Sequence, residues 1–192
     1  MNELGPTPSQ TVGPFFALLF LRRDPGNVLV RSETEGQRIR IEGRVLDGDG
    51  APVEDALIEI WQANGSGRYH HPADQGEAPW DPAFTGFGRT GTDESGRYWF
   101  ETIKPGRVPF DAQTWQAPHI VVTVFARGLL NHLATRLYFA DEAANDADPV
   151  LRLVPEERRS TLLAEPESVG GKTVYYFDIV LQGEAETVFF QR

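Results

Sequence analysis

The segment Trp115-Gln-Ala-Pro-His-Ile-Val-Val-Thr-Val-Phe-Ala-Arg127 alternates with period two once Pro118 is passed, the pattern of a β-strand with two unlike faces. Ile120, Val122, Val124 and Ala126 fall on one face, and as an all-apolar set they are expected to point into a core. His119, Val121, Thr123, Phe125 and Arg127 fall on the other and carry whatever chemistry the strand has. Two metal ligands on one strand belong at i and i+2, because that spacing sends both side chains from the same face. The residue two beyond His119 is Val121, so the strand offers one donor where a metal site asks for two.

Similar short apolar or alternating runs lie on either side of this strand. Ile39, Ile41 and Val45 alternate with Arg40, Glu42 and Arg44 before the turn Asp47-Gly-Asp-Gly50. Leu57 to Trp61, Arg97 to Thr102, Leu133 to Phe139 and Tyr175 to Leu181 read as further strands, with Thr187 to Phe190 as a last one. Asp93-Glu-Ser-Gly96 supplies another turn, and Glu156 to Ala164, following Pro155, predicts a short helix. Short strands separated by turn residues predict an all-β fold, a sandwich of two mostly antiparallel sheets. Residues 39–192 are expected to form its core as one domain. Residues 1–38 precede it as an arm, punctuated by Pro8, Gly13 and Pro14, and a charged loop. The segment from Ala63 to Thr92, rich in Gly, Pro, His and aromatics, is expected to be a long functional loop on that scaffold.

The 192 residues carry a formal net charge of −10 without a Lys/Arg-rich patch, which makes nucleic acid and anionic membranes poor partners. No apolar run approaches the length of a membrane span, and the first residues lack the pattern of a secretory signal. The absence of Cys removes thiolate catalysis, disulfides and Cys-based zinc sites, and it fits a cytoplasmic location. The sequence has four His: the adjacent His70 and His71 and the turn-flanking His132 read as solvated loop residues, and His119 reads equally as a packed imidazole or a ligand.

Several segments are more specific. Gly43-Arg-Val-Leu-Asp-Gly-Asp-Gly-Ala-Pro-Val, Ile60-Trp-Gln-Ala-Asn-Gly-Ser-Gly-Arg-Tyr69 and Phe87-Gly-Arg-Thr-Gly-Thr-Asp-Glu-Ser-Gly-Arg-Tyr-Trp-Phe100 resemble the intradiol ring-cleaving dioxygenases, as do Thr102-Ile-Lys-Pro-Gly106 and Pro118-His-Ile. The arm Thr7-Pro-Ser-Gln-Thr-Val-Gly-Pro and the segments Thr135-Arg-Leu-Tyr-Phe139 and Phe177-Asp-Ile are similar to the two-chain branch of that family, and most of all to its α chain.

That resemblance implies a ferric centre held by two Tyr phenolates and two His imidazoles, in which the anionic oxygens stabilise Fe(III) and a catechol chelates it. Carried onto this sequence, one Tyr ligand falls on Tyr69 and one His ligand on His119, while the other Tyr and His positions hold Val108 and Val121. An Arg that would stabilise anionic intermediates matches Gln116. The resemblance therefore implies a chain without iron or catalytic residues of its own, paired with an iron-bearing β chain in a higher oligomer. In such a pair the arm residues Thr11, Gly13 and Pro14, together with Arg127, line the partner's pocket for 3,4-dihydroxybenzoate, which is cleaved with O2. Arg136 is the competing guanidinium, and its place within an alternating strand reads as structural. Two alternatives stay open: a self-sufficient dioxygenase using Tyr69 and His119, with His70 or His71 as substitute donors, and a non-catalytic β-sandwich binding module.

Overall fold

The computed structural model describes residues 11–13 and 26–191. Among these residues the strands are, in order, β1 (Arg38–Leu46), β2 (Leu57–Trp61), β3 (Phe87–Gly91), β4 (Arg97–Ile103), β5 (Val108–Pro109), β6 (Trp115–Gln116), β7 (His119–Phe125), β8 (Leu133–Phe139), β9 (Leu163–Val169), β10 (Lys172–Tyr176) and β11 (Ile179–Val180). One layer runs β4-β1-β10-β9 and the other β3-β2-β7-β8. β9 stitches the two together, antiparallel to β10 from Glu165 to Val169 and parallel to β8 at Leu163 and Ala164. This is the expected β-sandwich.

Its interior is what the alternation predicts. Ile120, Val122, Val124 and Ala126 of β7 and the residue after it are 0–2% exposed, and they pack with Ile39, Ile41, Phe100, Ile103 and Tyr175 of the facing layer. Burying a side chain of that size stabilises by roughly 1.5–3 kcal/mol, so this one face of β7 is a principal tie between the layers. A smaller second cluster lies apart from this core, in which Ala117, Tyr138, Leu151, Val154 and Leu162 pack together.

The turns are closed by the residues that predicted them. The Asp47 carboxylate accepts the amides of Asp49 and Ala51 at 2.9 and 2.8 Å. The Asp93 carboxylate does the same for Ser95 and Arg97 at 2.9 and 3.0 Å, with Gly96 at φ +71°.

Four boundaries differ from the reading of the sequence. The segment from Ala63 to Thr92 is not all loop, since Phe87–Gly91 pairs with β2 as β3. The predicted helix is a 3₁₀ segment, Glu156–Leu162, and the chain then enters β9, which had no strand signal. The predicted strand from Tyr175 to Leu181 is broken into β10 and β11, because the Phe177 carbonyl turns towards Gly43, where it accepts a hydrogen bond from the Tyr98 hydroxyl at 2.6 Å. Thr187 to Phe190 is not a strand, although the Thr187 and Phe190 amides bond the carbonyls of Val180 and Ala134 at 2.9 and 2.7 Å. No helix among the described residues is long and apolar enough to cross a membrane.

Candidate functional site

Tyr69 is placed by a loop that only particular residues can build. The Asn64 side-chain oxygen accepts the amides of Ser66 and Arg68 at 3.0 and 2.9 Å, and its amide group donates to the Pro79 carbonyl at 2.9 Å. Gly67 sits at φ +83°, and a Cβ there would lie 1.9 Å from the Arg107 carbonyl oxygen, so the position requires glycine. Beyond this loop the Tyr69 amide donates to Asp74 at 2.7 Å, and its ring stacks on Trp61 with centroids 5.9 Å apart. Burial pushes the Tyr69 phenol above its ordinary pKa, with the positive charge of Arg136 pulling the other way and Asp74 adding to the rise. At neutral pH it is a phenol, not a phenolate.

His119 opens β7 and is 3% exposed. Its Nδ1 lies 2.8 Å from the Ala117 carbonyl oxygen, which can only accept, so Nδ1 carries the proton and the Nε2 lone pair is left for another partner. Burial first, and the Arg136 charge second, lower its pKa to about 4. The ring is therefore a neutral imidazole held as a metal-binding histidine would be.

Val121 and Val108, where the resemblance leaves a ligand missing, are placed by their strand pairings. Val121 stands opposite Trp61 on one side and Arg136 on the other, while Tyr138 is opposite His119. Val108 is buried and opposes Gln116 in the β5–β6 hairpin. Arg136 closes the ring: its Nη1 donates to the Gln116 side-chain oxygen at 2.8 Å and to the Tyr138 hydroxyl at 3.3 Å. The Tyr138 hydroxyl donates onward to Asp148 at 3.0 Å, and burial holds this phenol well above its usual pKa. The Asp148 carboxylate, itself 0% exposed, also accepts the amides of Ala117, Val150 and Leu151 at 2.7, 2.9 and 2.7 Å. Sequence reasoning passed over Tyr138 and Asp148. The register of β8 against β7 would have exposed the first, but Asp148 looks like any member of its acidic segment.

At the far end of the outward face the arm returns. The Gly128 amide donates to the Thr11 hydroxyl at 3.1 Å, which sets Thr11 beside Arg127. Gly13 is exposed with open space around its Cα; Pro14 lies outside the described residues. Arg127 is exposed, and one guanidinium nitrogen stands 3.5 and 3.4 Å from the carboxylates of Glu54 and Asp55. Of the remaining histidines, His71 and His132 are exposed as expected. His70 is half-buried against the Trp80 ring at 4.8 Å, with a buried Nδ1 that has no hydrogen-bond partner.

The sandwich carries Tyr69 in the loop after β2 and His119 at the start of β7, the arrangement that the resemblance to ring-cleaving dioxygenases implies. The Dioxygenase family model matches residues 13–183, and the chain belongs to that family, in its intradiol branch. It is 46% identical to the protocatechuate 3,4-dioxygenase alpha chain of Burkholderia cepacia over 99% of both chains. It is 43% identical to the alpha chain of Pseudomonas putida over 96% of this chain and 95% of that one. With the beta chain of Burkholderia cepacia it shares 41%, over 84% of this chain and 71% of that one. Among solved structures, the dioxygenase domain of a carbohydrate-binding fusion from Streptomyces sp. SirexAA-E superposes with a TM-score of 0.63 at 29% identity, covering 93% of this chain and 99% of that one.

The family depends on iron, and the residues at this corner do not fit a ferric centre. Val108 and Val121 bring no lone pair, and the Arg136 guanidinium places a fixed positive charge against the two donors that remain. Among the described residues no cluster of three or more His, Cys, Asp or Glu side chains is arranged to hold a metal.

Proposed function

We propose that this chain is the non-iron-binding α subunit of a protocatechuate 3,4-dioxygenase. In this reading it pairs with an iron-bearing β chain in a higher oligomer of αβ units and helps to line that chain's substrate pocket. The complex inserts both atoms of O2 between the two hydroxyl-bearing carbons of 3,4-dihydroxybenzoate, giving 3-carboxy-cis,cis-muconate, with one oxygen on each side of the broken bond. Arg127, Thr11, Gly13 and Pro14 form this chain's contribution, and residues 39–192 act as one sandwich domain with residues 1–38 as its arm and loop. One observation carries the reading most: the side of β7 that has lost its second donor at Val121 ends at Arg127, where the Thr11 hydroxyl has docked on Gly128. A guanidinium there suits a substrate whose carboxylate is remote from its diol, because a charge-assisted hydrogen bond can hold that end while the diol reacts elsewhere.

Metal analysis with and without the β chain tests this. Expressed alone, the chain should contain no iron above background; co-expressed with a β chain, it should copurify as a complex that carries iron and consumes O2 with protocatechuate. Stoichiometric, coloured Fe(III) in the chain alone would favour a self-sufficient enzyme instead. Absence of any complex would leave the binding-module alternative standing.

A further inference from the structure

Two valines in place of ligands would weaken metal binding at this corner, but they do not say which group fills the space between them. Arg136 projects from β8 directly opposite Val121, one of the lost positions, and its guanidinium bonds Gln116, which opposes Val108, the other. Position 116 is also where the resemblance expects an arginine. Here position 116 is Gln, and its side-chain oxygen accepts a hydrogen bond from the Arg136 guanidinium at 2.8 Å. We propose that the Arg136 guanidinium is a built-in cation that replaces the metal in this chain's own centre, so that iron is excluded by an occupying charge as well as by the absence of two ligands. This rests on the reading of the chain as an iron-free subunit.

Several observations support the assignment independently of the valines. The guanidinium is tied at Gln116 and Tyr138, and through Tyr138 it is linked to the buried Asp148 carboxylate, which offsets its charge. Its charge is felt by Tyr69, His119 and Tyr138 alike, the groups nearest the former ligand sphere.

The test restores the ligands with and without the cation, in the full-length chain, and reads iron per chain and visible phenolate-to-iron absorption. In the Val108→Tyr, Val121→His variant iron should stay near background. Adding Arg136→Gln should raise iron loading at least about tenfold, the scale on which neighbours of metal ligands act, and should bring colour. Arg136→Met, which keeps the aliphatic length, serves as the second neutral version should the Gln protein not fold. Arg136→Lys, which keeps the charge, should remain iron-poor. Full loading of the two-ligand variant with Arg136 intact would overturn the proposal while leaving the subunit reading in place. So would a folded neutral variant that takes up no more iron than its Arg136 counterpart, or a Lys variant that loads as well as the neutral ones. Iron in the unaltered chain would overturn both.

Discussion

At Arg127 the charge proposed to meet a substrate is already engaged by Glu54 and Asp55 at the surface. Contacts of that length between exposed groups contribute little, so a carboxylate arriving in a drier cleft would displace them. Arg127→Ala should raise KM for protocatechuate in the αβ complex about tenfold, the worth of one charge-assisted hydrogen bond, and leave its iron content unchanged; an unaltered KM would remove Arg127 from the pocket. His119 makes a prediction about pH. Its folded pKa of about 4 lies below the ordinary 6.5, so the unfolded chain binds more protons between those values and stability falls as pH drops through them. The stabilisation is full above about 6.5 and is lost towards about 4, on the order of 3 kcal/mol at roughly 1.4 kcal/mol per unit. Denaturant titrations of the wild type and His119→Asn should diverge across that window; parallel curves would mean that the imidazole titrates normally.

Gly43 shows how one residue settles the shape of an element. A Cβ there would lie 1.9 Å from the Phe177 carbonyl oxygen, which is main chain and cannot step aside. That close approach ends β10, lets the Asp178 carboxylate take the Arg44 amide at 2.8 Å, and starts β11 after the break. Gly43→Ala should therefore cost about 2–4 kcal/mol, as strained core substitutions do, read as a lowered thermal midpoint; a midpoint within a degree of wild type would show that the seam adapts. The same elements show what the sequence could and could not convey. The inward face of β7 was legible because four apolar residues alternate without interruption. β3 was not, because Phe87-Gly-Arg-Thr-Gly91 contains two glycines and so resembles a turn. β9 was hidden for a different reason: past Ala164 its Glu165, Pro166 and Glu167 are exposed, and nothing in their types distinguishes them from loop. Tyr69, His119, Val108 and Val121 were singled out only through the family resemblance. The role of Arg136 was not, since alternation places it on a face, and only the pairing of Val121 with Arg136 says what it stands beside.

For the whole molecule, the arm joins the sandwich at Thr11 and Gly128. Deleting residues 1–16 should impair assembly with the β chain or activity of the complex, measured by gel filtration and O2 uptake. Normal values for both would make the arm a tail. The sheet order also bears on how such a chain is made in a cell. β4 covers one edge of β1, but the other edge pairs in parallel with β10 and β11, and Arg44 waits for Asp178, 134 residues later. At synthesis rates of about 5–20 residues per second, that interval is roughly 7 to 27 seconds. Throughout it the nascent chain presents a line of unpaired amides and carbonyls. Until Lys172–Val180 has emerged, the chain is most exposed to pairing with a wrong strand, including one from a related chain.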